Sequence, residues 1–308
     1  MGPSPRPYRG RFAPSPTGPL HFGSLITAIA SFVDSRASGG EWLVRMEDLD
    51  RPREVPGAAD RILRTLDALG FQWDGEVLYQ SSRNDAYAEA LERLRRDGLV
   101  FACSCSRRDV ARNGRPGPEG PIYPGTCRAA PTRGRGAHTL RMRSEGPPIG
   151  FDDRVQGRLA QDLAREVGDF VLRRADGIHA YQLAVVVDDA DQGIDQVVRG
   201  ADLMLSTPRQ IRLQQAMGLP TPDYAHLPLA LDAGGRKLSK SDAAAPVDPK
   251  APLGVLEQAW RFLGQMPFPE RPANLDELWG FVLAHWDMAR VPPRRTGRIP
   301  PADPIPSA

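Results

Sequence analysis

The chain has 308 residues, 41% of them hydrophobic and 25% charged, a composition that can bury a sizeable core and excludes a chain disordered throughout. That length allows one large domain plus a smaller satellite. Forty basic residues nearly cancel 38 acidic ones to leave a net charge of +2, so any surface attractive to a polyanion has to be local.

The N-terminal MGPSPRPYRG lacks the apolar core of an export signal, and no run of 18 apolar residues occurs anywhere, so neither a signal peptide nor a membrane span is predicted. Tyr8 to Ala13 reads as a short strand, and the prolines at 14, 16 and 19 exclude a helix until Leu20. From Leu20 to Ala37, Leu25, Ile26, Ile29, Ala30 and Val33 recur at helical spacing, and Gly39 and Gly40 end the helix. Glu41 to Met46 is a second strand, giving a strand, helix, strand unit whose natural binding site is the carboxyl end of its strands. Helices are predicted over 57–69 and 83–97.

Residues 101–165, crowded with Gly, Pro and Arg and containing strand-like 138–143, read as an insertion. Within 107–143 nine arginines face only Asp109 and Glu119, a local charge of +7 that suits contact with RNA phosphates or a solvated basic surface. Asp169 to Arg174 reads as a strand, and the apolar run Ala180 to Asp189, ending in paired aspartates, as the sheet resuming. A helix over 201–218, a strand over 224–231 and helices over 252–265 and 273–289 complete the pattern. From Val291 on, six prolines in 18 residues predict a disordered tail.

Two loops carry chemistry. Pro16-Thr17-Gly18-Pro19-Leu20-His21-Phe22-Gly23-Ser24 places an imidazole and free backbone N–H groups at a helix start, where an anion can sit. Lys237-Leu238-Ser239-Lys240-Ser241 holds two of only three lysines in the chain, the other being Lys250, although arginine is the default cation everywhere else. A compact, swinging ammonium can follow a phosphate through a reaction as a planar guanidinium cannot. A third cluster is Cys103, Cys105 and Cys127. An odd number of closely spaced cysteines argues against a secreted disulfide framework, predicts a reducing, cytoplasmic setting, and suits either Zn²⁺ or simple packing as thiols.

Leu-His-Phe-Gly-Ser early and Lys-Leu-Ser-Lys-Ser late resemble the paired nucleotide signatures of class I aminoacyl-tRNA synthetases. RFAPSPTGPLHFGS, RMEDLD, AYQLAVVVDD, VVRGADL and HLPLAL before KLSKS resemble, in order, the glutamyl branch. The resemblance implies an α/β fold with a Rossmann-like nucleotide-binding domain, halved into 1–100 and 166–241 by an inserted zinc-binding subdomain at 101–165. A short helical part at 242–290 and the tail at 291–308 would follow. It implies ATP-dependent activation of L-glutamate, with Mg²⁺ accompanying ATP. ATP would meet Pro16, His21, Gly23, Ser24, Lys237, Ser239 and Lys240, with His21 and Lys240 stabilising the charge that builds on phosphate. Glutamate would meet Arg11, Phe12, Ala13, Pro14, Ser15, Glu47, Tyr181 and Arg199, and one structural Zn²⁺ would be held by Cys103, Cys105, Tyr123 and Cys127.

Tyr123 enters that set by resemblance alone. Asp188 and Asp189 are read as hydrogen-bonding groups and left outside the site, and Val185, four residues after Tyr181, is expected to alter the pocket floor. Only 67 residues follow Ser241, which leaves no room for a helical anticodon-reading domain. The chain therefore resembles the stand-alone members of the branch, which activate glutamate without tRNA and attach it to the queuosine base in the anticodon of tRNA(Asp). An enzyme charging a tRNA 3′ end and a catalytically silent RNA-binding module are the alternatives; no membrane partner is expected.

Overall fold

A computed structural model describes residues 8–131, 138–232 and 246–300. The chain runs β1 (Arg9–Phe12), α1 (Phe22–Ala37), β2 (Glu41–Met46), α2 (Ala58–Ala68), β3 (Leu78–Tyr79), α3 (Asn84–Arg96), β4 (Val100–Cys103) and α4 (Arg107–Asn113). It continues through β5 (Thr139–Met142), β6 (Ile149–Asp153), β7 (Gly157–Gln161), α5 (Leu163–Glu166), β8 (Phe170–Arg173), α6 (Tyr181–Asp191), β9 (Gln196–Gly200) and α7 (Thr207–Met217). β10 (Asp223–Leu227), β11 (Leu229–Leu231), α8 (Pro252–Phe262), α9 (Leu275–His285) and β12 (Thr296–Arg298) follow. Among the described residues no helix is long and apolar enough to cross a membrane.

β1, β2 and β3 form a parallel sheet, and β6, β10 and β9 a second, with β7 added antiparallel to β6. The two meet edge to edge where the Asp195 N–H, just before β9, donates to the Arg9 carbonyl at 3.1 Å. α1 starts at His21, whose ring accepts a first-turn N–H, and stops before Gly39, which takes the left-handed φ of +66° that a side chain would resist. Its buried side meets an aromatic cluster: Phe32 stands edge-on to Trp42, Phe71 and Trp279 with ring centroids 5.1, 5.3 and 5.2 Å away. The Trp279 indole N–H also donates to the Leu69 carbonyl at 3.0 Å, which ties the C-terminal helices to the N-terminal unit.

α3, α6 and α7 pack in a second core, which contains Tyr87, Leu183, Val186 and Leu213. β4, β5 and β8 make a separate antiparallel sheet. Beside it lies a small cluster of Phe101, Cys103, Tyr123 and Cys127.

Four expectations change. The run 180–189, read as sheet, is helix α6: a continuous apolar run has no periodicity to distinguish the two, and here both faces of a helix are covered. The strand at 170–173 pairs with β5 rather than continuing the parallel sheet. The helix read over 201–218 begins as a 3₁₀ segment, Ala201–Ser206, and becomes α-helical at Thr207 with Pro208 in its first turn.

The stretch from Val291, expected to be a disordered tail, is ordered as far as Pro300. Val291 is 2% exposed in the first core, β12 pairs in parallel with β11, and the Gln258 side-chain amide donates to the Pro300 carbonyl at 2.7 Å. Deleting 291–308 should therefore cost about 2 kcal/mol or more, the scale of one buried aliphatic side chain, before the lost strand pairing is counted. Thermal denaturation should show a Tm lower by several degrees; an unchanged Tm would return the segment to the status of a tail.

Candidate active site

β1 ends in Arg11 and Phe12, and the proline-rich segment 13–20 then carries the chain across the ends of β1 and β2 into α1. A cavity of about 1090 Å³ opens there. One wall is Arg11 to Ser15 with His21, Gly23 and Ser24; the other carries Glu47 from the end of β2, Tyr181 from the start of α6 and Arg199 from β9. His21 caps α1, its Nδ1 accepting the Ser24 N–H at 3.2 Å, with Nε2 3.0 Å from Ser24 Oγ. The positive end of the helix dipole therefore faces the cavity beside an imidazole.

Behind this wall lies a buried ionic network. Asp189 Oδ1 accepts Arg11 Nε at 3.1 Å and Arg45 Nη2 at 2.6 Å. Asp188, fully buried, accepts Gln80 Nε2 at 2.7 Å, Tyr87 Oη at 2.8 Å and Arg83 Nε at 2.8 Å. Burial alone would raise the Asp189 carboxyl, but Arg11 and Arg45 outweigh it and hold its pKa below the ordinary value. Glu47 goes the other way. Burial pushes it up to about 7, against the opposing pull of Arg45 and Arg11.

Arg199 is 3% exposed and committed on several sides. Its Nε donates to His226 Nε2 at 3.0 Å, Nη2 to Thr207 Oγ1 at 2.8 Å and Nη1 to Tyr181 Oη at 3.3 Å. The arginine that faces the cavity is thus fixed by groups behind it.

Of the residues singled out from the sequence, Arg11, Phe12, Ala13, Pro14, Ser15, His21, Gly23, Ser24, Glu47, Tyr181 and Arg199 all line this one cavity. Phe12 also stacks on Trp42, centroids 6.2 Å apart, so most of its ring serves the core. Pro16 is buried outside the lining, its carbonyl accepting the Val55 N–H at 3.0 Å. Val185 does not alter the pocket floor: it is 1% exposed in the second core and away from the cavity lining. Lys237, Ser239 and Lys240 lie outside the described residues.

Sequence reasoning missed Arg45, Gln80, His226 and the weight carried by Asp188 and Asp189. Two adjacent carboxylates ending an apolar run were the available signal, since buried charges demand partners. It also missed His179, which lines the cavity at 8% exposure with neither ring nitrogen hydrogen-bonded.

The sulfurs of Cys103, Cys105 and Cys127 lie within 4.8 Å of one another, with Cys105 and Cys127 3.5 Å apart. Four ligands at about 2.3 Å from a tetrahedral zinc would stand about 3.8 Å apart, so the three thiols fit a single ion. Tyr123 Oη accepts the Cys127 N–H at 2.9 Å and lies 3.4 Å from Cys103 Sγ, inside the same cluster. Without metal, burial pushes the Cys105 thiol up to about 11.

The basic segment is partly consumed internally. Arg128 pairs with Asp169 and Glu145, Arg141 lies over the Tyr123 ring, and Arg143 lies over Phe101. Arg107, at the start of α4, instead lines the cavity next to Cys105.

Residues 8–252 match the family described as tRNA synthetases class I (E and Q), catalytic domain. The chain is 57% identical over 290 residues to a glutamyl-Q tRNA(Asp) synthetase of Dechloromonas aromatica (strain RCB), covering 93% of this chain and 96% of that relative. It is 54% identical over 290 residues to one from Neisseria gonorrhoeae (strain ATCC 700825 / FA 1090), covering 92% and 97%. Its structure superposes on a glutamate tRNA ligase from Elizabethkingia meningosepticum CCUG26117, solved in complex with its amino acid. The TM-score is 0.79 at 23% identity, over 96% of this chain and 67% of that one, a likeness of fold. With the loop around His21 lining that cavity, the chain belongs to the class I tRNA synthetases of the E and Q type and carries their α/β catalytic fold.

Proposed function

We propose that the protein activates L-glutamate with ATP, without tRNA, and transfers the glutamyl group to the queuosine base in the anticodon of tRNA(Asp). Support comes from relatives named glutamyl-Q tRNA(Asp) synthetase that match over nine-tenths of both chains. The observation that carries the reading is a grouping within the charged lining of one cavity: its two buried arginines, Arg11 and Arg199, with the Glu47 carboxyl, in a cavity that also opens onto the N-terminus of α1. That pattern complements a substrate with two carboxylates and one ammonium.

In this reading Glu47 receives the ammonium, and Arg11 and Arg199, with Ser15 and Tyr181, receive the side-chain carboxylate. A guanidinium offers parallel N–H donors that a carboxylate can accept and a carboxamide cannot match, which separates glutamate from glutamine. An α-carboxylate oxygen attacks the α-phosphorus of ATP and pyrophosphate leaves. His21 and the N-terminus of α1 around Gly23 stabilise the growing phosphate charge, joined by Lys240 and Lys237. Catalysis is positioning and electrostatics with no side-chain nucleophile. When bound with ATP, Mg²⁺ would offset the negative charge of its phosphates. In the transfer step a nucleophilic group of the acceptor base attacks the glutamyl carbonyl carbon, the acyl–phosphate bond breaks, AMP leaves, and the nucleophile's proton passes to solvent.

The cysteine cluster is proposed to hold one structural zinc through Cys103, Cys105 and Cys127, with Tyr123 as fourth ligand. Zinc would stabilise the thiolates and fix the segment that carries Arg107 at the edge of the cavity.

Three measurements check this. Glutamate-dependent ATP–pyrophosphate exchange should proceed with no tRNA present; no exchange, or exchange only with tRNA, would defeat the activation step. Because Glu47 titrates near 7 and only its ionised form attracts an ammonium, the KM for glutamate should rise roughly tenfold per pH unit below 7 and level off above it. The Glu47→Gln variant should lose that slope and keep a high KM; a slope that survives the substitution assigns the titration elsewhere. Metal analysis of protein purified without chelator should find about one zinc per chain, and finding none removes the metal site.

A further inference from the structure

The Arg199 guanidinium is only as well aimed as the groups behind it, and those form a chain reaching into a different strand. Arg199 on β9 and His226 on β10 are register partners in the parallel pair, so their side chains stand side by side on one face of the sheet. His226 has no exposed surface. Its Nε2 faces Arg199 Nε at 3.0 Å, and its Nδ1 faces Asp153 Oδ2 at 2.5 Å. Asp153 is anchored in turn: its Oδ1 accepts the backbone N–H groups of Val155, Gln156 and His226 at 3.0, 2.8 and 3.1 Å.

The donors fix the tautomer. An arginine Nε–H can only donate, so His226 Nε2 must present a lone pair, and the single ring proton sits on Nδ1, donated to Asp153. An imidazolium there would set two donors against each other. Burial agrees with this, pushing the His226 ring down to about 4 despite the neighbouring carboxylate, while the His226 contact and backbone donors keep Asp153 low against its own burial.

We infer that His226, set by Asp153, is a positioning residue for glutamate recognition: it holds Arg199 by Nε so that the guanidinium meets the substrate carboxylate in the cavity. The pair touches no substrate and acts through Arg199. Thr207 and Tyr181 fix the same guanidinium at Nη2 and Nη1, which completes a rigid mount. The inference rests on the glutamate reading above and names residues outside the cavity lining.

The substitutions follow from the geometry. In His226→Asn the shorter amide still reaches Asp153 but leaves Arg199 Nε without an acceptor, whereas Gln in the same place carries an oxygen to the position of Nε2. Asp153→Asn should act through the tautomer. Three backbone N–H groups retain the amide oxygen, so its NH₂ faces Nδ1, drives the ring proton to Nε2 and opposes it to Arg199. The test is glutamate-dependent ATP–pyrophosphate exchange on the full chain, with thermal denaturation of each variant and ¹⁵N-edited NMR of the wild-type histidine rings at pH 7.

His226→Asn and Asp153→Asn should raise the KM for glutamate about tenfold or more, leave the KM for ATP within about twofold, and narrow the preference for glutamate over glutamine. His226→Gln should recover most of the loss, and the NMR should find His226 as the Nδ1–H tautomer. Three results overturn the inference: an unchanged glutamate KM in either folded variant, equal rises for glutamate and ATP, or a His226 ring protonated at Nε2 in the wild type. The NMR result decides if both variants fail to fold. If the wild type shows no glutamate-dependent exchange, the glutamate reading falls first and the inference with it; exchange that persists with a normal KM in the variants sinks the inference alone.

Discussion

Two neighbouring carboxylates at the end of α6, Asp188 and Asp189, determine where three arginines can sit. Arg11 comes from β1, Arg45 from β2 and Arg83 from the turn before α3, and all three converge on this pair. The cost of burying such charges is met only when each has its partner, and removing one partner from a buried pair costs about 3–5 kcal/mol. The network therefore makes one register of β1, β2 and α6 far better than its neighbours. It also puts Arg11 at the edge of a cavity that the parallel strands would open in any case.

The same economy appears on the other wall. Arg199 is mounted on His226, Thr207 and Tyr181 as Arg11 is mounted on Asp189. Cations fixed in advance lose little freedom when a carboxylate arrives, and in a partly dry cavity their field is screened less than in water. Glu47 completes the pattern. It is the one acidic group in the proposed glutamate pocket whose environment leaves it poised near neutral pH, so substrate charge itself can settle its ionisation.

Much of this is legible in the sequence. The loop around His21 and the residues Arg11, Glu47, Tyr181 and Arg199 were readable because each belongs to a short block whose order along the chain is informative, and all five line the cavity. What escaped was of two physical kinds. Helix α6 was read as strand because a uniformly apolar run buried on both faces has no period. His226 and Arg45 escaped because their partners are 27 and 144 residues away, and long-range pairing leaves no local trace. Composition was a coarse guide in two places: three of the nine arginines in 107–143 also contact Asp169, Tyr123 and Phe101, and the proline-rich stretch after Val291, expected to be disordered, pairs with β11 through β12.

Cys103, Cys105 and Arg107 line the same cavity as the proposed glutamate-binding residues. An acceptor in an anticodon loop, and not at a tRNA 3′ end, is the central claim, and it can be measured directly. Radiolabelled glutamate is offered with ATP to tRNA(Asp) that carries queuosine, to the same tRNA lacking it, and to queuosine-containing tRNA(Asp) stripped of its 3′ adenosine. Label is expected on the first and third and none on the second; equal labelling without queuosine, or loss of label with the 3′ adenosine, would contradict transfer to the anticodon base.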